Sequence, residues 1–334
     1  MRRPKGPLQP DDMKIVEIPK PQPMPGEVVV QNLFVSVDPT HRVWMSDTPQ
    51  YWEPSPLNEP MRANTLGVVE CSREPSLPPG TFILGFGNLQ DYYITSADDP
   101  TTAAVVKIPG IPITAYLSVL SVIIAATAWV AIFEVLNVAE GDVVVIGAGA
   151  GAVGSLATQL AKLRGGIVIA LCGLDEKCNF AREMYGADYA INRKTEDVEA
   201  RIKEIVPEGV DCYLDLTGGS VTDCVMQCMK DFGRVALAGT ISSYNTESGY
   251  CGLKNYTLII HRRLRIQGYI CSDHVHKMDG IIPELVQLIK EGRIKYFENI
   301  VPGLENYIVA LDSIFTGRNT GKVLLQLAEW NLED

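Results

Sequence analysis

The chain has 334 residues, too many for one ordinary core and suited to about two domains. Hydrophobic residues make up 46% and charged residues 21%, a composition that excludes a chain disordered throughout. The net charge of −11 argues against nucleic acid and anionic membranes as partners. A small anionic ligand remains compatible with this charge, because its pocket needs only one or two local cations.

Targeting and compartment follow from the apolar stretches and the cysteines. The N-terminal segment lacks the apolar core of a secretory signal. The most apolar stretch, 111–138, is interrupted by hydroxyl side chains, so its uninterrupted runs stay below the ~18 residues of a membrane span. We predict a buried helix there. The eight cysteines lie mostly in apolar contexts, which favours reduced thiols in a cytoplasmic protein over a disulfide framework.

The first third of the chain is predicted to be β and loop. Residues 27–37 (EVVVQNLFVSV) form a strongly β-prone run, and proline clusters at 19–25, 52–60 and 74–80 separate the segments. Proline becomes rare after Pro112, so the composition changes at that point. The shift indicates a different kind of structure in the middle of the chain.

The middle of the chain alternates strands with helices. The predicted strands are 142–146, 166–171, 188–191, 210–216 and 234–239, and the predicted helices are 152–164, 175–185, 196–206 and 222–230. This rhythm predicts a parallel sheet with helices on both faces. The last third adds a strand at 264–271, helices at 281–291 and 305–316, and a closing strand at 322–328.

A glycine motif opens the alternating region. Residues 142–154 read DVVVIGAGAGAVG, so a buried strand leads into Gly149-x-Gly151-x-x-Gly154 and a helix. The glycines permit a tight turn, close approach of a pyrophosphate to the backbone, and close packing of the helix on the strand. The N–H groups at the start of the helix have no partner within the helix and attract phosphate. The alternative is a packing turn with no ligand.

The end of the next strand indicates which nucleotide binds. An NAD-binding chain usually carries Asp or Glu there, to hold the ribose 2′-hydroxyl. Here residues 172–174 read Cys-Gly-Leu, and the first acids, Asp175 and Glu176, already lie in the next helix beside Lys177. A missing carboxylate with a nearby cation favours NADP(H), with Arg193 as a second cation. The alternative for Lys177 is an ordinary surface lysine.

A zinc site has to be considered, because zinc alcohol dehydrogenases also combine a β-rich domain with such a nucleotide domain. The first 118 residues hold one histidine, His41, and one cysteine, Cys71. The chain contains no Cys-x-x-Cys. Converging Cys, His and carboxylate ligands or closely spaced cysteines would be needed for zinc. We therefore predict a zinc-free protein, in which hydrogen bonds polarise any carbonyl.

Several short motifs now carry a family resemblance. They are Val35–Pro39 (VSVDP), 85–87 (GFG) with Gln90, 150–155 (AGAVGS), 175–178 (DEKC), 239–245 (GTISSYN) and 319–322 (NTGK). With them, the chain resembles the zinc-independent medium-chain dehydrogenase/reductase family of NADPH-dependent double-bond reductases, of the prostaglandin reductase and curcumin reductase type. The similarity covers nearly the whole chain.

The resemblance implies an α/β fold in which a Rossmann-type doubly wound parallel sheet, 119–296, is inserted in a β-rich, partly open-barrel, GroES-like catalytic domain, 1–118 plus 297–334. It implies NADPH as the cofactor and hydride transfer to the β-carbon of an enone or enal. Because relatives join two sheets across the strand at 264–271, and an exposed edge invites pairing, it also implies a homodimer.

The family pattern assigns roles to individual residues. The implied cofactor-binding residues are Gly149, Gly151, Ala152, Val153, Gly154, Gly173, Lys177, Arg193, Gly239, Tyr244 and Asn319. Tyr244 is also the candidate catalytic residue, because its O–H can hydrogen-bond the carbonyl oxygen that gains negative charge and can deliver a proton. The alternative is that Tyr244 only positions the ribose or packs, and that solvent protonates the enolate.

The substrate side departs from the family pattern. Thr40 stands where relatives commonly have a tyrosine, and 122–126 replaces a Pro-Gly turn, with one residue inserted before Thr127. The candidate substrate-pocket residues are Thr40, His41, Trp129 and Tyr256. His41 is a candidate acid, with an ordinary surface or packing histidine as the alternative, and Tyr256 could equally pack in the core.

Three functions stay open at this point. The first is an NADPH-dependent reductase of enones and enals, and the second is a quinone or carbonyl reductase on the same fold. The third is a non-catalytic NADP(H)-binding relative whose substrate half has drifted.

Overall fold

The computed structural model describes residues 2–48, 50–246 and 252–329. Within these residues the chain forms thirteen strands. They are β1 (Glu27–Val37), β2 (Thr65–Ser72), β3 (Phe82–Gly85), β4 (Tyr92–Ser96), β5 (Ala103–Val105), β6 (Val143–Ile146), β7 (Ile167–Cys172), β8 (Tyr189–Asn192), β9 (Val210–Asp215), β10 (Met229–Leu237), β11 (Arg265–Gly268), β12 (Glu298–Pro302) and β13 (Lys322–Gln326).

The same residues form nine α-helices, together with short 3₁₀ and π segments. The α-helices are α1 (Thr40–Trp44), α2 (Thr127–Trp129), α3 (Ala152–Leu163), α4 (Asp175–Glu183), α5 (Val198–Ile205), α6 (Ser220–Gln227), α7 (Thr257–His261), α8 (Met278–Lys290) and α9 (Tyr307–Thr316). The 3₁₀ segments are Pro10–Asp12, Ile113–Leu117, Ile241–Ser243, Cys271–Lys277 and Leu304–Asn306.

The contacts divide the chain into two compact units. The first unit is Met1–Ser118 with Glu298–Asp334, and the second is Val119–Phe297. Phe297 lies in the second unit, where its ring packs edge-on against Phe180 with centroids 5.8 Å apart, a geometry that aromatic pairs favour.

The first unit is built around β1. Its sheet has the order β12-β13-β1-β2-β3-β5, with β4 also paired to β1. The pairs are antiparallel except for β12 with β13, and the described strands do not close into a barrel. Strand β1 can sit centrally because nearly all its side chains are buried, as its apolar sequence predicts. The C-terminal strand β13 thus completes a sheet begun near the N-terminus.

The second unit contains the parallel sheet that the strand–helix alternation predicts. Its order is β11-β10-β9-β6-β7-β8, and every neighbouring pair is parallel. All four side chains of β6 are buried, as expected for a central strand covered on both faces. Among the described strands, β8 and β11 lie at the two edges. Because these strands are parallel, the carboxyl ends of β6, β7 and β8 lie on the same side of the sheet, and the glycine motif begins there.

Two element predictions need correction. The stretch 111–138 is not one helix: Ile113–Leu117 is 3₁₀, and Val122–Val135 follows as a helix with π turns on either side of α2. Each π segment widens the helix locally, because its hydrogen bonds span one residue more than those of an α-helix. The helix expected at 222–230 ends at Gln227, because Met229 already pairs with Val210 in the sheet.

Candidate functional site

The glycine turn is shaped by backbone contacts that leave no room for side chains at two positions. A Cβ atom on Gly149 would lie 2.6 Å from Cβ of Ala170 in β7, and one on Gly154 would lie 2.2 Å from the carbonyl oxygen of Ala148. Gly151 is less restricted, since its Cβ would meet the same oxygen at 3.1 Å. The first and third glycines therefore allow helix α3 to pack against the turn and the turn against β7.

Helix α3 begins directly after this turn. Gly151 precedes the helix and has no side chain with which to cap it, and Ala152 and Val153 form its first turn. The first N–H groups of an α-helix have no intrahelical partner and carry the positive end of the helix dipole. The predicted phosphate-binding residues of 149–154 thus form one continuous backbone surface suited to an anion.

Three cationic side chains come together beyond the end of β7. At Gly173, which follows β7, an added Cβ atom would lie 3.4 Å from Cε of Lys194 and 3.9 Å from a guanidinium nitrogen of Arg193. Burial lowers the pKa of Lys177, and the charges of Arg193 and Lys194 lower it further against an opposing effect of Cys172. The expected cations Lys177 and Arg193 therefore share one region, with Lys194 in addition.

Two acids close in sequence to these cations, Asp175 and Glu196, are engaged in bonds that shape the loop after β8. Oδ1 of Asp175 accepts a hydrogen bond from the side-chain amide of Asn192 at 2.7 Å, and Oε1 of Glu196 accepts from the Asn192 backbone N–H at 2.7 Å. Oε2 of Glu196 also binds Arg201 at 2.9 Å. The absence of a carboxylate at position 173, noted in the sequence, is therefore matched by a cation-rich region in the fold.

Tyr244 lies beside the end of β10. Its hydroxyl oxygen accepts a hydrogen bond from the Thr240 N–H at 3.2 Å, and a Cβ atom on Gly239 would lie 3.6 Å from that oxygen. The bond uses a lone pair of the phenol and not its proton, so the geometry is compatible with a donor role. The structure thus brings together Gly239 and Tyr244, two of the predicted cofactor residues.

In the first unit, Thr40 is the first residue of α1, and its Oγ1 lies 2.7 Å from the Tyr51 hydroxyl. Tyr51 is 49% exposed and contacts Trp52 edge-on, and Trp52 stacks on Trp44 at 5.5 Å. The guanidinium of Arg62 lies 5.1 Å from the Trp52 ring. A phenol from residue 51 thus stands beside Thr40, the position for which the family pattern implies a tyrosine.

His41 does not fit the role of an exposed acid. Its side chain is fully buried, and its Nδ1 lies 3.0 Å from the Tyr307 hydroxyl. Burial lowers the pKa of His41 to about 4, with the Asp38 charge opposing and the Lys322 charge adding to this effect. The imidazole is therefore neutral at pH 7, and the packing alternative describes it better than the proton-donor hypothesis.

The remaining candidates have separate surroundings. Asn319 is buried, and its side-chain amide donates to the Gly321 carbonyl at 3.1 Å, in the turn before β13. Trp129 stacks on Phe133 with ring centroids 4.1 Å apart. Tyr256 is 66% exposed, so it does not pack in the core of its unit.

Sequence reasoning missed Lys194 and Tyr51. Lys194 had a usable signal, since it directly follows Arg193 after a predicted strand. Tyr51 had none, because its contact with Thr40 depends on the path of the intervening loop.

Two searches of the described parts of the chain bear on metals and membranes. Among residues 2–48, 50–246 and 252–329, no group of three or more His, Cys, Asp or Glu side chains could hold a metal ion. Over the same ranges, none of the helices has both the length and the apolar character needed to cross a bilayer.

Comparison with known proteins agrees with this architecture. Residues 1–103 match the family described as the N-terminal domain of oxidoreductase, and residues 152–291 match the one described as zinc-binding dehydrogenase. The NADPH-dependent curcumin reductase of Escherichia coli (strain K12) is 31% identical, over 98% of this chain and 95% of its own length. The NADP(+)-dependent 2-alkenal reductase of Nicotiana tabacum is 32% identical, over 91% of this chain and 88% of its own.

A solved structure extends the likeness to three dimensions. The crystal structure of CurA in complex with NADPH from Vibrio vulnificus superposes with a TM-score of 0.92, at 31% identity over 98% of each chain. The glycine turn, the parallel sheet and the strand-rich first unit are thus accompanied by similarity along the full length of several reductases. The chain belongs to the medium-chain dehydrogenase/reductase family, in the group that contains these NADP-dependent reductases.

Proposed function

We propose that this protein is an NADPH-dependent reductase of the C=C bond of α,β-unsaturated ketones and aldehydes, and that it acts without zinc. The observation that carries the proposal is the approach of the Arg193 guanidinium to Gly173, where an NAD-binding site would have a carboxylate, with Lys177 within range of the Arg193 charge. The names of the curcumin and 2-alkenal reductases support the reaction class.

The second unit offers a matching part for each charged portion of NADPH. The backbone of 149–154 and the start of α3 suit the pyrophosphate, because unpaired N–H groups and the helix dipole favour anions. Lys177 and Arg193 suit the 2′-phosphate, since charge-assisted bonds to phosphate are stronger than neutral ones. We assign Gly239 and Asn319 to the same cofactor, as the family pattern implies.

When bound, NADPH would supply a hydride to the β-carbon of the acceptor, and the resulting enolate would take up a proton at its α-carbon. Negative charge would develop on the carbonyl oxygen, and a positioned donor would lower the barrier by stabilising it. Tyr244 is our candidate for this donor, because its phenol carries a proton and the Thr240 N–H positions its oxygen beside Gly239. Thr40, Trp129 and Tyr256 remain candidates for contact with the acceptor.

The zinc-free part of the proposal rests on the ligand inventory of the first unit. Its histidine, His41, is bonded to Tyr307 in the interior, and Cys71 is exposed on β2. Turnover that survives dialysis against a chelator, in protein without stoichiometric zinc by elemental analysis, would support this part. Loss of turnover that added zinc restores would overturn it.

We also propose a homodimer in the cytoplasm. Strand β11 is an edge strand whose outer side has backbone groups able to pair with a second sheet. Buried, unpaired thiols such as Cys212 and Cys228 suit a reducing compartment. Light scattering at micromolar concentration tests the dimer, and a monomer there would contradict it.

The decisive experiment supplies NADPH and NADH in parallel to a panel of enones, enals, quinones and saturated ketones, with product analysis. The proposal expects NADPH consumption with enones and enals, and saturated ketones or aldehydes as products. Hydroquinone or alcohol products would indicate a quinone or carbonyl reductase instead. Tight NADPH binding without consumption across the panel would indicate a non-catalytic relative.

A further inference from the structure

The loop after β8 brings a third cation to the region assigned to the cofactor phosphate. Lys194 is exposed at the surface, and its side chain reaches back over Gly173, where an added Cβ atom would lie 3.4 Å from its Cε and 3.9 Å from its Nζ. The strand pair β7–β8 sets this approach, because Arg193 N–H donates to the Cys172 carbonyl at 2.9 Å. Lys194 and Gly173 are therefore neighbours through the sheet register and not by chance contact of side chains.

The loop that presents Lys194 is fixed by local bonds. The Lys194 N–H donates to Oδ1 of Asn192 at 3.1 Å, while the side-chain amide of Asn192 donates to Asp175 at the start of α4. These bonds link the end of β8 to the first turn of the helix that carries Lys177. The two lysines thus approach the same space from two different elements.

The electrostatics of this region favour an anion. Like charges at close range repel, and an anion placed among them lowers that repulsion. The charge of Lys194 is close enough to act on the ammonium of Lys177, as does that of Arg193. A phosphate dianion is the kind of ligand that three converging cations favour.

We propose that Lys194 is a further binding residue for the 2′-phosphate of the cofactor, and that Gly173 supports this specificity because it places no carboxylate beside the lysine. This inference rests on the proposed NADPH dependence. It adds a residue and a mechanism: the preference for the phosphorylated cofactor is set by the loop after β8 together with α4, while the end of β7 contributes no competing negative charge.

The test measures cofactor binding without any acceptor, by the fluorescence of bound NADPH and NADH and by calorimetry with 2′,5′-ADP and 5′-AMP. Lys194→Met is expected to raise the Kd of NADPH and of 2′,5′-ADP about five- to twentyfold, while changing those of NADH and 5′-AMP less than about twofold. Gly173→Asp is expected to weaken NADPH by more than tenfold and to strengthen NADH. Lys203→Met is the matched control, since that lysine pairs with Glu199 on the surface of α5.

The outcomes separate this inference from the proposed function. Equal effects of Lys194→Met on NADPH and NADH, or no effect on either, would overturn the inference while leaving the reaction intact. If the unsubstituted protein binds NADPH no better than NADH, the proposed cofactor is wrong and the inference fails with it. An NADPH preference that Lys177→Met removes and Lys194→Met does not would restrict the phosphate site to the first lysine and overturn the role of the second.

Discussion

Lys322 and Asp38 form a buried ion pair in the first unit, with Nζ of the lysine 2.6 Å from Oδ1 of the aspartate. Nζ also donates to the Val37 carbonyl at 2.8 Å, and the Ser36 hydroxyl donates to the other carboxylate oxygen. The pair thereby joins the end of β1 to the start of β13, two strands far apart in sequence that pair antiparallel. It lies where the C-terminal segment joins the sheet of the N-terminal part.

Breaking this pair should destabilise the first unit strongly. Burial alone would raise the pKa of Asp38, but the Lys322 charge and the hydrogen bonds hold it below its ordinary value. Asp38→Asn or Lys322→Met leaves one uncompensated charge in the interior, so each is expected to lower the free energy of unfolding by about 3–5 kcal/mol. Urea unfolding at pH 7, followed by fluorescence and circular dichroism, measures the change.

The double variant distinguishes an ion pair from two independent contributions. Asp38→Asn with Lys322→Met removes both charges, so its loss of stability is expected to be smaller than the sum of the single losses. Additive losses would show that each side chain acts through its other hydrogen bonds. The exposed pair Arg263–Asp231 provides a control, because a surface pair contributes about 0–1 kcal/mol.

Much of the second unit could be predicted from the sequence, for a physical reason. A parallel sheet buried on both faces requires continuous apolar runs such as 143–146, and the helices between them carry their own periodicity. The glycine turn was predictable because the clashes at Gly149 and Gly154 exclude larger residues. The end of α6 was not, because the pairing of Met229 with Val210 in the preceding strand β9 is a tertiary contact without a signal in the helix itself.

The first unit was less predictable because long-range contacts define it. Strands β3 and β5 are short, and β12 is only half-buried, so none has a strong pattern of its own. His41 shows the same limit for a site: its residue type suggested an acid, and only the fold shows it buried against Tyr307. Sequence likewise places a threonine at position 40 but does not show the approach of Tyr51.

His41 should make the protein less stable as the pH falls from about 6.5 to about 4. Its pKa in the folded protein is about 4, against about 6.5 in an unfolded chain, so the unfolded state binds the proton first. Stability from this group is full above pH 6.5, decreases through the interval, and changes no further below about 4, where both states are protonated. A shift of this size corresponds to about 3 kcal/mol.

Urea unfolding across pH 4 to 7 compares the unsubstituted protein with His41→Phe. The variant loses the hydrogen bond to Tyr307, which lowers its free energy of unfolding by a similar amount at every pH. The decrease in its stability between pH 6.5 and pH 4 should nevertheless be shallower. Asp38 and Lys322 face His41 and are present in both proteins, so the comparison isolates the part of the pH dependence that comes from the imidazole. Parallel pH profiles for the two proteins would refute the assignment, and His276→Asn, at an exposed position, serves as control.

The contact between Thr40 and Tyr51 predicts a role for the phenol in acceptor binding, if the proposed reaction holds. Tyr51→Phe removes one hydroxyl that Thr40 holds at 2.7 Å, so the KM for an enone is expected to rise about two- to tenfold, with kcat and the Kd of NADPH unchanged. Thr40→Val should have a similar effect, and Thr40→Ser should retain the bond. Steady-state kinetics measures both parameters.

A matched control for this substitution is Tyr189→Phe, at a tyrosine that is 43% exposed on β8, compared with 49% for Tyr51. Its kinetic parameters should stay within twofold of the unsubstituted protein. An unchanged KM in Tyr51→Phe and Thr40→Val alike would remove both residues from the acceptor site.

Gly154 should tolerate no side chain, and the effect should appear in both stability and cofactor binding. A Cβ atom there would lie 2.2 Å from the Ala148 carbonyl oxygen and 2.9 Å from Cα of Gly149, so the phosphate-binding turn itself must move. Gly154→Ala is therefore expected to cost about 1–3 kcal/mol of stability and to raise the Kd of NADPH by more than tenfold. Gly280→Ala in α8 is the opposite case, since its Cβ would meet nothing within 4 Å, and the change should stabilise the helix by about 0.5–1 kcal/mol without altering NADPH binding. Thermal unfolding and fluorescence titration compare the two variants, and normal NADPH affinity in Gly154→Ala would show that the turn does not hold the cofactor.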